Sequence, residues 1–241
     1  MRYLIGVQPT GKLHIGNYLG CLKKGLKLQD EGHEVIFLIA NYHSLTTDSY
    51  TDETELELQK LGCKTIVRQT PVYTELFFQL CCKMNLSILL KMPQYKDKKE
   101  TAKNDLGLLL YPVLMAADII MNEPDVVIIG KDQVAHLELC NDIAKKHNGK
   151  YYNYELGDVE KVMSLQDPSK KMSKSLGEKH VLYLFGEDYL AKIKKANSTE
   201  EGITNLKLIA SSLGINKEFS MNIELKTAIA EKMQEIFDIL K

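Results

Sequence analysis

YLIGVQPTGKLHIGNYLG, Tyr3 to Gly20, runs from an apolar segment through a glycine-bearing turn into the first turns of a helix. Tyr3 to Val7 has the unbroken apolar character of a strand buried on both faces. Gln8-Pro9-Thr10-Gly11 ends that strand in a turn. Ile15 to Asp30 follows, with Leu19, Leu22, Leu26 and Leu28 at largely helical spacing. The same order then repeats. Val35 to Ala40 reads as a strand, and Asp52 to Lys64 as a helix whose acidic first turns suit the helix dipole. Ile66 to Gln69 reads as strand, Val72 to Leu80 as helix, and Asp125 to Ile129 as a strand ending at Gly130. This alternation predicts an α/β fold with a parallel sheet covered on both faces.

Lys83 to Asn104 interrupts the pattern. It is polar, lysine-rich and broken by Pro93, so it is placed as an insertion between two halves of the sheet domain. Leu106 to Ile120 predicts a largely buried helix with Pro112 near its beginning. Gln133 to His147 predicts a helix ending before Asn148-Gly149, a left-handed cap. From Leu182 onward Leu, Ile and Phe recur at helical spacing, separated by Gly186, Gly202 and Gly214. A small helical appendage from about Gly202 to Lys241 is expected, giving a main domain over 1–180 and a helical one over 181–241.

The chain has 241 residues, room for one large domain or one domain with an appendage. A net charge of -1 excludes gross attraction to a polyanion but not a local basic patch. Local lysine excesses fall at Lys96 to Lys103, Lys170 to Lys174 and Lys192 to Lys195. Such a run is more often a solvated face than a ligand site; the middle one is the best functional candidate of the three, because serines and a methionine interrupt it in a loop. The five cysteines, Cys21, Cys63, Cys81, Cys82 and Cys140, match no common zinc or iron–sulfur spacing. They read as reduced thiols, mostly buried, in an intracellular and cytoplasmic protein with no secretory leader. No apolar run reaches transmembrane length, so no membrane partner is expected.

Ligands of a parallel α/β sheet bind at the carboxyl ends of its strands. After the first strand, Gly11 and Gly16 permit close backbone approach. His14 and Asn17, three apart, can face one ligand where a helix N-terminus favours phosphate. The segment is neither a P-loop nor a GxGxxG turn, and a plain helix cap with a solvated histidine would use the same residues. In YPVLMAADII, Tyr111 to Ile120, Asp118 stands in an apolar helix. A buried carboxylate must be paired, either structurally or with a ligand N–H or O–H. Met115 and Met121 offer soft surface to an aromatic ligand or simply fill core. Gly130-Lys131-Asp132-Gln133 and Asn41-Tyr42-His43 follow strands and lie at the same sheet edge; loop capping is the alternative for both. His136 reads as a hydrogen-bonded histidine, since it lies outside any HExxH pattern. Neither a Ser–His–Asp triad nor a carboxylate cluster for metals is apparent, so orientation and charge stabilisation fit better than covalent catalysis.

These residues carry a resemblance. GVQPTGKLHIGNYLG (Gly6 to Gly20) is similar to the "HIGH" region, and KMSKS (Lys171 to Ser175, after MSLQDPSK) to the lysine loop, of class I aminoacyl-tRNA synthetases. YPVLMAADI and GKDQVAHLELCNDIA resemble the intervening segments, nearest to the tryptophanyl branch. Together they span most of residues 3 to 177. The resemblance implies a Rossmann-like catalytic domain and a homodimer. It also implies ATP-dependent activation of tryptophan followed by transfer to tRNA(Trp), with Mg²⁺ arriving on ATP and no structural metal. It implies a catalytic set of His14, Asn17, Lys171, Lys174 and Ser175. ATP contacts fall to Gln8, Thr10, Gly16, Asn17, Lys98, Gly130, Asp132, Lys171, Met172, Ser173 and Lys174. Amino-acid contacts fall to Gly6, Val7, Gln8, His43, Tyr111, Met115, Asp118 and Gln133, with Asp118 accepting the indole N–H.

Some positions depart from that pattern. Leu176-Gly177 replaces Asp-Pro after the lysine loop, Lys131 stands where acidic residues are common, and Asn41 where Asp is common. The chain stops soon after Met233 to Leu240, whereas the family carries further C-terminal helices for anticodon recognition, so tRNA selection is expected to be affected more than adenylation. Alternative readings are the tyrosine-activating sister, a paralogue that activates an amino acid without charging tRNA, and a non-catalytic nucleotide- or RNA-binding relative. A nucleotidyltransferase for a small phosphorylated substrate shares a similar split site, against which the apolar surroundings of Asp118 argue.

Overall fold

A computed structural model of the chain describes residues 1–47, 50–98, 106–159, 161–186 and 189–238. They form two compact units. One comprises Met1–Gly11, Gly25–Glu55 and Cys63–Leu156; the other comprises Lys12–Lys24, Leu56–Gly62 and Gly157–Lys241.

The first unit is built on a parallel sheet of β1 (Arg2–Val7), β2 (Glu34–Ile39), β3 (Thr65–Arg68), β4 (Val126–Ile129) and β5 (Asn153–Leu156), in the spatial order β3-β2-β1-β4-β5. Tyr3 pairs with Val35 on one side and Val126 on the other. The chain winds outward from β1 to β3, then returns to the far side of β1. The loops after β1 and β4 therefore diverge, which makes the carboxyl end of these two strands the topological switch point where open α/β sheets bind ligands. The sequence pattern explains the burial. β2 is EVIFLI and β4 is VVII, buried along almost their whole lengths as parallel strands require.

The helix Leu106–Asn122 packs between helices Pro71–Cys81 and Val134–His147. Its mostly apolar sequence is buried on most sides, and each fully buried Leu or Ile contributes about 1.5–3 kcal/mol. Positions 111, 115, 118 and 122 share one stripe at i, i+4, i+7 and i+11, so Tyr111, Met115 and Asp118 emerge on one face. Gly25 lets its helix approach the sheet, since an added Cβ would lie 2.3 Å from Ile5 Cδ1 and 3.1 Å from Phe37 Cε1.

In the second unit the backbone around His14 pairs with the stretch around Tyr183. Ile15 N donates to Leu182 O at 2.8 Å and Leu184 N to Leu13 O at 2.9 Å. Three helices follow, Tyr189–Lys194, Glu200–Ser212 and Asn222–Asp238. Phe237 is fully buried and meets Tyr18 and Phe185 edge-on. Buried Lys226 donates to the carbonyls of Lys194 and Ala196 at 3.1 and 2.7 Å and to Ser198 Oγ at 2.9 Å, which satisfies its ammonium and closes the C-terminal end of Tyr189–Lys194.

The fold class is as the sequence predicts, with local corrections. The stretch expected as one helix over Ile15 to Asp30 is an α-turn (Ile15–Asn17), a π-helical turn (Tyr18–Leu22) and an α-helix (Lys23–Asp30). β5 was not anticipated, because NYEL is polar and largely exposed and is held by backbone pairing to β4. Pro112 lies in the second turn of its helix, near the beginning as expected. Gly202 does not separate helices. It sits in the first turn of Glu200–Ser212, where a Cβ would meet Asn197 O at 2.4 Å, while Gly214 takes the left-handed φ of 84° that ends that helix. The insertion contains the short helices Leu86–Leu89 and Pro93–Lys98; residues 99–104 lie outside the described residues. The cysteines are free thiols, but only Cys63 and Cys140 are buried; Cys82 is exposed. No helix among the described residues is long and apolar enough to cross a membrane.

Candidate active site

The second unit carries His14, Asn17 and the lysine loop together. His14 is the N-cap of the short helix Ile15–Asn17: its Nδ1 accepts from Gly16 N–H at 3.1 Å, and its own N–H donates to Asn17 Oδ1 at 3.1 Å. This is a capping box with histidine in the serine position. Because Nδ1 accepts, the neutral ring carries its proton on Nε2. Gly16 is what allows the fold-back, since a Cβ there would lie 3.0 Å from both Cε1 and Nδ1 of the ring. Burial first, then the charges of Lys174 and Lys171, push the His14 pKa down to about 3. The imidazole is therefore a neutral N–H donor at physiological pH.

The lysine loop is pinned at its base and exposed at its tip. Met163 and Lys171 form a bridge, Ser164 N donates to Lys170 O at 2.9 Å, and Met172 N donates to Val162 O at 2.9 Å. The buried side chain of Met172 is the apolar anchor. Lys171 and Ser175 are exposed and Lys174 is half-buried. Ser173 Oγ and Ser175 Oγ lie 2.9 Å apart. At the base Lys170 pairs with Asp167 at 2.9 Å. The Asp167 carboxyl is held down to about 2, chiefly by Ser169 Oγ–H and then by Lys170. Ser164 Oγ meets His180 Nδ1 at 2.8 Å, and Leu165 N reaches His180 O at 3.1 Å, tying the loop to the stretch that pairs with His14. Gly177, in the place of the expected proline, adopts φ 98° and ends the turn after Lys174–Leu176 in a conformation that suits glycine.

The first unit holds a second polar assembly in an apolar setting. Asp118 is only 4% exposed. Its Oδ1 accepts from Gln69 Nε2 at 2.6 Å and its Oδ2 lies 3.0 Å from His43 Nε2. Gln69 is itself held by Tyr42 N–H, 2.7 Å from its Oε1. Tyr111, two helical turns before Asp118, places its hydroxyl 2.9 Å from His136 Nε2; His136 Nδ1 lies 2.9 Å from Gln133 Oε1. The His43 and His136 rings meet Tyr111 edge-on. Burial pushes the Tyr111 phenol well above its ordinary value, so it remains protonated. Such an assembly is suited to reading hydrogen-bond donors on an aromatic amphiphile, since an unmatched partner leaves buried polar groups unpaired.

The first unit also contains Gly6, Val7, Gln8, Thr10, Gly130 and Asp132. Gly6 is exposed although β1 is the central strand, and a Cβ there would meet nothing within 4 Å, so room exists over this part of the sheet. Gln8 is exposed just beyond β1, Thr10 N donates to Gln8 O at 2.9 Å, and Asp132 Oδ1 folds back towards Gly130. Met115 packs against the apolar core cluster. Lys98 ends its short helix, and its side chain lies outside the described residues. Gln69 was not anticipated as a site residue; its one signal in the sequence is a polar residue closing a strand at the ligand-binding edge. No three metal-ligating side chains come together among the described residues.

Residues 1–240 match the family described as tRNA synthetases class I (W and Y). The tryptophan–tRNA ligase of Helicobacter pylori strain J99 is 35% identical over 85% of this chain and 73% of its own length. That of Rickettsia bellii is 36% identical over 96% of this chain and 77% of its own. The crystal structure of tryptophanyl-tRNA synthetase from Mycoplasma pneumoniae aligns with a TM-score of 0.82 at 27% identity, covering 99% of this chain and 86% of that one. The Campylobacter jejuni enzyme, crystallised with ADP and tryptophan, aligns with a TM-score of 0.75 at 27% identity, covering 100% and 87%.

Proposed function

This chain belongs to the class I tRNA synthetases for tryptophan and tyrosine, and from that membership we propose that it is a tryptophan–tRNA ligase. The carboxylate of tryptophan attacks the α-phosphate of ATP, pyrophosphate leaves, and the tryptophanyl group passes from the adenylate to the terminal adenosine of tRNA(Trp). The observation that carries this reading is the position of His14 in the field of Lys171 and Lys174, within one compact unit.

Each role follows from the chemistry of the group. Charge builds on the leaving pyrophosphate, and Lys171 and Lys174, on an exposed loop tip, meet it as it forms. Neutral His14 donates Nε2–H to a phosphate oxygen without giving up a proton, with Asn17 beside it and Ser173 and Ser175 as further donors. Gln8, Thr10, Gly16, Gly130, Asp132, Met172 and Lys98 complete the ATP contacts, and Mg²⁺ arrives on the nucleotide as part of the substrate. Gly6, Val7, Gln8, His43, Met115 and Asp118 receive the indole side chain, and Tyr111 and Gln133 the ammonium. Asp118 accepts the indole N–H.

The helices after Leu182 are read as a domain directed at tRNA. A homodimer is part of this reading. Val72, Phe78, Leu86, Ile88 and Leu90 are large apolar side chains exposed on one unit, as a surface that meets a second copy would be. The working compartment is the cytoplasm.

Amino-acid-dependent ATP–pyrophosphate exchange tests the proposal directly. Exchange with tryptophan is expected. Tyrosine belongs in the panel because the Asp118 carboxylate accepts a phenol O–H as readily as an indole N–H. Exchange with tyrosine alone moves the assignment to the sister enzyme, and exchange with no amino acid removes it. Charging of tRNA(Trp) then tests the second step.

A further inference from the structure

His136 takes no part in the roles assigned above, yet it is fully buried and both of its ring nitrogens are engaged. The directions of its hydrogen bonds are fixed from the far end of the chain of contacts. Gln133 Nε2 lies 3.2 Å from Asp132 Oδ2. A carboxylate only accepts, so the NH₂ end of the amide faces Asp132 and its carbonyl end faces His136. That carbonyl, 2.9 Å from Nδ1, requires an N–H on Nδ1. An imidazole without exposed surface, held between an amide and a hydroxyl, is neutral and has a single N–H. Nε2 is then bare and takes the proton of the Tyr111 hydroxyl, 2.9 Å away. Donation runs one way, from Tyr111 through His136 and Gln133 to Asp132.

We propose that His136 is a positioning residue that fixes the polarity of an α-ammonium subsite. It draws the Tyr111 proton inward and holds the Gln133 carbonyl, so that both oxygens act as acceptors towards a ligand carrying N–H donors. With the opposite tautomer, the Tyr111 hydroxyl would turn its proton outward, against a cation. The inference rests on the tryptophan-activation reading and adds to it the device that discriminates a protonated amino group from its absence.

Two measurements test it. The first compares binding of tryptophan and of indole-3-propionate, which has the ring and carboxylate but no amino group, to the wild-type chain and to His136→Gln. Tryptophan is expected to bind about tenfold to a hundredfold more weakly to the variant. Indole-3-propionate should be unaffected, and the KM for ATP should hold. Equal losses for both ligands, as a collapsed pocket would give, overturn the proposal, and so does an unchanged tryptophan affinity. If the wild-type chain binds tyrosine rather than tryptophan, the parent reading fails and the same comparison is made with tyrosine and 3-(4-hydroxyphenyl)propionate; binding of neither amino acid overturns both. The second measurement needs no variant: ¹⁵N chemical shifts of the His136 ring report its tautomer directly. A neutral ring protonated on Nδ1 is expected, whereas a proton on Nε2, or on both nitrogens, overturns the proposed polarity.

Discussion

His43 Nε2 lies 3.0 Å from Asp118 Oδ2, both side chains buried, while Gln69 occupies the other carboxylate oxygen. The acceptor is thus locked from two sides by residues at the ends of different strands, leaving little freedom for it to follow a misplaced ligand. Asp118→Asn keeps the volume but replaces one acceptor oxygen with an NH₂ group, which opposes the donor of Gln69 or of the ligand. We expect the KM for tryptophan to rise about tenfold to a hundredfold in pyrophosphate exchange, with the KM for ATP changed much less. Comparable losses for the two substrates would remove Asp118 from indole recognition.

His14 should make folding sensitive to acid. Its pKa is about 3 in the folded chain, against about 6.5 when unfolded. Between those values the unfolded chain binds a proton that the folded chain refuses, so stability rises with pH. The contribution is complete above pH ~6.5 and is lost as pH falls towards ~3, at up to about 1.4 kcal/mol per pH unit. His14→Asn retains a capping acceptor and removes the titration. Urea midpoints measured from pH 7 down to pH 4 should fall more steeply for the wild type than for the variant. Parallel curves would mean that His14 is not held neutral.

Lys171 and Lys174 act on two observables. Each replacement by Ala should lower the turnover of adenylation by about tenfold to a hundredfold while changing ATP affinity less, the signature of contacts made in the transition state. The same variants should raise the His14 pKa, read by NMR, because each lysine contributes to holding it down. Lys174 should have the larger effect, and neither should restore an ordinary value, since burial is the first cause. An unchanged turnover would end the transition-state role, and an unmoved His14 would mean that the loop does not reach it.

How far the sequence reveals this arrangement depends on which interactions carry each part. β1 and β2 are legible because unbroken apolar runs belong to strands buried on both faces. β5 is not, because an edge strand of Asn, Tyr, Glu and Leu gains its place from backbone pairing, which leaves little pattern in the side chains. The π-turn at Tyr18–Leu22 escapes for a related reason: Leu19 and Leu22 suit either helical phase. His14 and the lysine loop stand out because each packs several unusual residues into a short segment. Gln69 and His136 are single polar residues. Gln69 reaches Asp118 across 49 positions because the helix that follows it, Pro71–Cys81, packs on Leu106–Asn122, a contact between segments far apart in the chain.

Two glycines should separate activity from stability. At Gly16 an added Cβ would stand 3.0 Å from Cε1 and Nδ1 of His14 and 3.7 Å from Val162 Cβ. The imidazole would have to leave the Gly16 N–H, which costs a capping bond of about 1 kcal/mol, offset by up to about 1 kcal/mol of better helix propensity, and turns Nε2 away from its working direction. Gly16→Ala should therefore reduce kcat/KM at least about tenfold while the urea midpoint shifts little. At Gly25 the clash is with Ile5 Cδ1 at 2.3 Å and Phe37 Cε1 at 3.1 Å, side chains buried in the sheet–helix interface with no room to retreat. Overpacking of that kind costs about 1–3 kcal/mol, offset by up to about 1 kcal/mol of better helix propensity. Gly25→Ala should lower the unfolding midpoint and leave exchange activity near wild type at temperatures where the variant is folded. If Gly16→Ala destabilises the chain without touching catalysis, the folded-back His14 ring is only a helix cap, and the phosphate-handling role assigned to it is wrong.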